Sequence, residues 1–318
     1  MSKHKTFSKK WLCCVFICTA LISIMWGCAV APRKLFIKDI SASFDECTII
    51  STKTEKPVSF EDLITDLSRV QIIYLGEKHN DPAHHEIQLR VIRTLFKANQ
   101  NIAVGMEMFD RTYQQVLSLW SAGELDQAEF LKKVHWYANW KFDFVLYKDI
   151  IDFIKKSNIR LVGLNLPPHI PRKIAIGGIE SLSNDEKKHL PKKINTSNAD
   201  HMAYLEQVFN QHHIKGMESF EFFYTAQCVW EDTMAESVAM NLEDDQMIVL
   251  AGNGHIIHKF GIPDRAFSRT GASFRTIMLT PAGSEAELSF ADYIWVTQVN
   301  QKRKKRIRRF SEKHEKDE

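Results

Sequence analysis

Two Gly-x-x-His tetrads, far apart in the chain, each follow directly on an apolar run that reads as a β-strand. The first, Gly76-Glu77-Lys78-His79, follows Gln71-Ile72-Ile73-Tyr74-Leu75, and the second, Gly252-Asn253-Gly254-His255, follows Met247-Ile248-Val249-Leu250-Ala251. A third run, Ile102-Ala103-Val104-Gly105-Met106, delivers Glu107. Short, continuous apolar runs suit strands buried on both faces of a parallel sheet. If these runs are neighbours, their carboxyl ends bring two histidines and two glutamates to one crevice, where open α/β sheets bind ligands.

The order of elements agrees with that architecture. Ser59, with Asp62 three residues on, opens a helix to about Ser68. Asp81-Pro82 opens another, in which Ile87, Val91, Ile92 and Leu95 recur at helical spacing. An aromatic-rich segment from Thr112 to Ala138 reads as helix, break at Gly123, helix. Phe144 to Ser157 reads as helix and Ile159 to Leu164 as a strand ending at Asn165, with a Pro-rich turn after it. A polar, basic excursion spans Ser183 to Asp200, and a long helix runs from about Glu218 to Leu242. Arg275 to Leu279 and Tyr293 to Val296 read as an antiparallel pair at the sheet edge. The expected fold is α/β, a mainly parallel central sheet with helices on both faces and one helical excursion.

Outside that body, lysines at positions 3, 5, 9 and 10 precede an apolar stretch from Trp11 to Trp26. That stretch falls short of the roughly 20 residues of a membrane span and suits an export signal. Gly27-Cys28 closes it as a lipobox does, which predicts a signal peptide over 1–27, lipidation at Cys28 and a tether over 28–57. Ala29 after the cysteine favours the outer membrane. The α/β domain is then 58–300, and 301–318 is a charged tail expected to be disordered. A formal net charge of +3 on 318 residues gives no reason to expect a nucleic-acid partner. Beyond Cys28 only Cys47 and Cys228 remain, without spacing suited to a structural zinc site.

The candidate crevice residues are Glu77, His79, Glu107, Asn165, His255, Gln227 and Glu231. Glu107 interrupts an apolar run, and a buried carboxylate needs a partner. Gln227 and Glu231 share a helical stripe with Trp230, Met234 and Ala235, so they are expected to reach the crevice rather than the core. His79, His255 and Glu107 are also the natural set for a divalent metal, with Glu77 as a further ligand or as the base that activates water.

Taken together, these segments resemble the ChaN family of haem-binding uptake lipoproteins, in a superfamily with the Tiki and TraB proteins and related to erythromycin-esterase-like proteins. The resemblance rests on Gly76-Glu77-x-His79 with His84-His85 and Gln88, Gly105-Met106-Glu107-Met108-Phe109, and Leu164-Asn165. It also rests on Gln227-x-x-Trp230 with Met234-Ala235, and on Ala251-Gly252-Asn253-Gly254-His255-Ile256 running into Gly261-Ile262-Pro263. It implies non-covalent haem held at a homodimer interface, a tyrosine on iron and arginines on the propionates. Tyr147 is the expected iron ligand, with Tyr137 beside it in sequence terms, and Arg111, Arg172, Arg265 and Arg269 are the candidate cations. The resemblance also implies two alternatives, a metal-dependent hydrolase using His79, Glu107 and His255, and a non-catalytic envelope scaffold.

Overall fold

The computed structural model describes residues 33–211 and 218–299; the predicted signal peptide, Cys28 and the charged tail lie outside the described residues. Eleven strands are described: β1 (Leu35–Ile37), β2 (Ala42–Phe44), β3 (Ile49–Ser51), β4 (Lys56–Val58), β5 (Ile72–Glu77), β6 (Ile102–Asp110), β7 (Arg160–Asn165), β8 (Gln246–Gly252), β9 (Phe274–Pro281), β10 (Glu285–Ala286) and β11 (Tyr293–Thr297). Eight of them form one sheet in the order β4-β3-β11-β9-β5-β8-β6-β7. From β11 to β7 every pairing is parallel.

The sequence explains the centre of this sheet. All six residues of β5 and all nine of β6 are buried, as expected where helices cover both faces. One face packs Ile73, Leu75, Val104 and Met106 into a large core with Trp120, Trp136 and Tyr147. The other packs Tyr74, Val249 and Val162 against Met234, Ala235 and Val238 of the long helix Phe220–Asn241. The predicted helix starts hold: Ser59 makes a capping box with Asp62, and Asp81 caps the helix Pro82–Ala98.

Three expectations are corrected. The β9 and β11 segments pair in parallel rather than antiparallel, and β9 sits inside the sheet between β11 and β5, because the chain between them detours through β10, which pairs with β1 in the three-stranded sheet. The described part of the tether, residues 33–57, carries β1 to β3 and most of β4, with β3 and β4 completing the antiparallel edge. Glu77 is the last residue of β5 rather than part of the loop after it.

Candidate functional site

β8 inserts between β5 and β6, so the carboxyl ends of β5, β8, β6 and β7 stand side by side. In register, Glu77 of β5 lies opposite Gly252 of β8. This order places both tetrads, Glu107 and Asn165 at one end of the sheet. The Gly252 N–H donates to Glu107 Oε2 at 2.6 Å, and Asn165 Nδ2 donates to the Glu107 carbonyl at 2.8 Å.

Glu77 anchors one half of the site. It is 2% exposed, and it accepts hydrogen bonds from the Tyr147 hydroxyl (2.6 Å), His79 Nδ1 (2.8 Å) and Gln88 Nε2 (2.9 Å). His85 Nε2 lies 3.4 Å from the same carboxylate. Burial alone would raise its pKa, but the hydrogen bonds and charges of His79 and His85 hold it far below the usual carboxylate range. Because Glu77 stays ionised, His79 carries its proton on Nδ1 and turns Nε2 toward Glu107 Oε1, 3.8 Å away. Burial would lower the His79 pKa, yet the bond to Glu77 and the charges of Glu107 and Glu77 raise it. Trp140 and Phe142 flank its ring, at 4.9 and 5.2 Å between centroids.

The other half mirrors the first. His255 Nε2 stands 3.6 Å from Glu107 Oε1, and its Nδ1 is 3.3 Å from Glu231 Oε1. Burial opposes the charged imidazole, but Glu107 and Glu231 outweigh it and raise the pKa. Trp230 lies against the His255 ring at 4.9 Å. Behind Glu231 stand His201 Nε2 at 3.5 Å and Arg265 Nε at 3.4 Å.

A cleft of about 520 Å³ opens above this floor, within the roughly 300–1,000 Å³ of small-molecule pockets. His79, Glu107 and Asp110 are among its polar lining, and Trp140, Phe142, Leu166, Pro168, Phe223 and Trp230 contribute apolar wall. Tyr137, Arg172 and Lys141 also line it and are exposed. Gln227 and Asn165 line the same cleft, so it brings together most of the predicted crevice residues, with His255 and Glu231 one layer behind.

The haem-contact expectations divide. Tyr147 is fully buried with its hydroxyl committed to Glu77, which leaves no face for a porphyrin and overturns its choice as iron ligand. Arg265 is buried against Asp232 and Glu231, Arg269 pairs with Asp232, and Arg111 pairs with Glu236 at 2.8 Å, so none of the three is free for a propionate. Only Arg172 of the four reaches the cleft. The divalent-metal alternative also finds no support. Among the described residues no group of three or more His, Cys, Asp or Glu side chains could hold an ion. Sequence reasoning missed Lys141, His201 and Asp232. For Asp232 a signal existed, a second acid beside Glu231 in a helix buried nearly all round.

Residues 63–266 match the family described as haem-binding uptake, Tiki superfamily, ChaN. The chain belongs to the ChaN family. Its fold is similar to that of ChaN of Campylobacter jejuni, a structure described as showing cofacial haem binding, with 22% identity and a TM-score of 0.63. The match covers 78% of this chain and 95% of that one. A mutant erythromycin esterase in an open conformation is a more distant likeness, at 17% identity and TM-score 0.43, covering 74% and 76%. No curated protein matches by sequence.

The cleft of this ChaN-family chain is chemically suited to haem. Its wall is apolar and aromatic, and two cations stand at it without an anionic partner among the described residues. Arg172 makes no side-chain hydrogen bond or ion pair among the described residues, and Lys141 lies over the Phe142 ring, 5.3 Å from its centroid. The Trp230 indole N–H is buried without a hydrogen-bond partner, a donor left over for a guest or a water.

Proposed function

We propose that this chain is a haem-binding protein of the bacterial cell envelope, tethered by lipid at Cys28 in the outer membrane and serving haem or iron uptake. Family membership supports the haem reading, and the observation that carries it to a place is the apolar cleft with uncommitted Arg172 and Lys141. A flat apolar ring with two carboxylates needs that combination, because cation–carboxylate contacts are the strong, orienting ones. Tyr137, 69% exposed and lining the cleft, replaces Tyr147 as the candidate iron ligand. A tyrosinate suits ferric haem and capture. Exposed Tyr137, which lines the cleft, also favours coverage by a second copy, hence a homodimer.

Haemin titration of the full chain in detergent tests this. Saturable binding with a tyrosinate-type ferric spectrum is expected. Tyr137→Phe should abolish that spectrum, and Arg172→Gln should weaken binding about tenfold, the scale of one lost charge-assisted contact. No saturable binding by the wild-type chain sinks the reading.

One observation favours a hydrolase as second reading: the Glu77–His79 pair is a carboxylate-oriented imidazole facing a cleft, the form of a general base. Ester or amide turnover that His79→Gln removes, in a chain that ignores haemin, would select it.

A further inference from the structure

The floor of the cleft is more costly than ligand retention requires. Carboxylates and imidazoles alternate along one line, Glu77, His79, Glu107, His255, Glu231, His201, with N···O separations of 2.8, 3.8, 3.6, 3.3 and 3.5 Å in turn. Buried ion pairs stabilise a fold poorly compared with apolar residues of the same volume. An apolar floor would hold a flat apolar ring at least as well. Titratable groups gathered in a cleft point instead to proton chemistry.

The floor offers two separate proton acceptors. His79 is one: it lines the cleft, its Nδ1 is bound to Glu77, and its Nε2, 3.8 Å from Glu107 Oε1, is the nitrogen left to take a proton. Glu107 is the other: it lines the cleft, and His255, held by Glu231, stands behind it to share a proton. Metal exchange in a tetrapyrrole has this stoichiometry. A divalent cation entering the ring displaces two pyrrole N–H protons, and a cation leaving it returns two.

We propose that His79 and Glu107 catalyse metal exchange on the tetrapyrrole bound in this cleft, an inference that rests on the haem-binding reading above. For a divalent cation such as zinc, four metal–nitrogen bonds form and two pyrrole N–H bonds break. One proton passes to His79 Nε2 and one to Glu107, from which His255 can take it. No electron moves. Release of the metal is the same step in reverse, and a catalyst accelerates both directions. The ring must lie with one face over the floor, its carboxylates toward Arg172 and Lys141.

The test uses the full chain in detergent, zinc ions and protoporphyrin IX, with insertion followed by porphyrin fluorescence. Acceleration over the protein-free mixture should reach about 10²–10⁴-fold, the usual yield of positioned acid–base groups. His79→Gln and Glu107→Gln should each lower the saturated rate at least about tenfold. The second variant keeps an acceptor for the Gly252 N–H, so loss of the fold cannot mimic the result in both. Arg172→Gln should raise the half-saturating porphyrin concentration instead. An equilibrium readout stands beside the rates: N-methylprotoporphyrin, whose ring is puckered as during metal entry, should bind wild type about tenfold more tightly than the flat ring. His79→Gln should shrink that preference. Saturable porphyrin binding with insertion at the background rate overturns the proposal and leaves haem carriage standing. A wild-type chain that binds neither haemin nor protoporphyrin overturns both.

Discussion

His84 shows how a buried residue with no view of the cleft sets what the cleft contains. It is fully buried, accepts the Lys78 N–H on Nδ1 at 2.8 Å and meets Thr297 Oγ1 through Nε2 at 3.2 Å. It thereby pins the loop carrying His79 to the end of β11. Burial lowers its pKa from 6.5 to about 4. A histidine depressed in the folded state stabilises fully above its unfolded pKa, and that contribution is lost as pH falls from about 6.5 toward 4. His84→Gln should flatten the acid limb of the urea midpoint measured between those values, with wild type falling more steeply; equal slopes would refute the assignment. Gly252 is a second control point. A Cβ there would sit 2.9 Å from the His79 ring, so Gly252→Ala should destabilise by about 1–3 kcal/mol in denaturant melts, as overpacking does. The sequence named Glu77, His79, Glu107 and His255 because each breaks an apolar pattern at a strand end. Tyr147 misled for the converse reason: a tyrosine in an aromatic segment gives no sign of whether its hydroxyl faces a ligand or a buried carboxylate.

Among the elements, those with local signals were the legible ones. The capping box at Ser59, the Asp81-Pro82 start and the apolar runs of β5, β6 and β8 write their own boundaries into adjacent residues. Ser59→Ala should cost about 1 kcal/mol, read as a lowered thermal midpoint, since Ser59 Oγ accepts the Asp62 N–H at 3.0 Å. β1 to β4 were not legible: runs of three residues are too short for a period to declare itself, and two of their four pairings, β1 with β10 and β3 with β11, join strands distant in sequence. The long helix Phe220–Asn241 was legible in its extent, from about Glu218 to Leu242, but its stripe was a less complete guide to its faces. It packs on the sheet while Gln227 and Trp230 line the cleft, so polar and apolar positions mix on faces that are buried either way.

For the whole molecule, one prediction concerns address. Cys28→Ser should shift the chain from the membrane fraction to the soluble one; unchanged fractionation would rule out the lipid anchor. Among the described residues no helix is long and apolar enough to cross a membrane. A larger consequence follows from the place of β8. It is the sixth strand of the large sheet to be synthesised, yet it fills the gap between two earlier ones, β5 and β6. Bringing Ile72 against Met247 closes a loop of most of the domain, a slow step because the chain entropy is lost before the pairing repays it. Until residues 246–252 arrive, β5 and β6 lack the strand between them and leave two bare, largely apolar strand edges. Glu107 then lacks its Gly252 donor, and the second histidine is still on the ribosome side of the chain. The cleft is therefore incomplete until β8 is in place, and the same gap is where a stalled or truncated copy would recruit a stray strand from its neighbour.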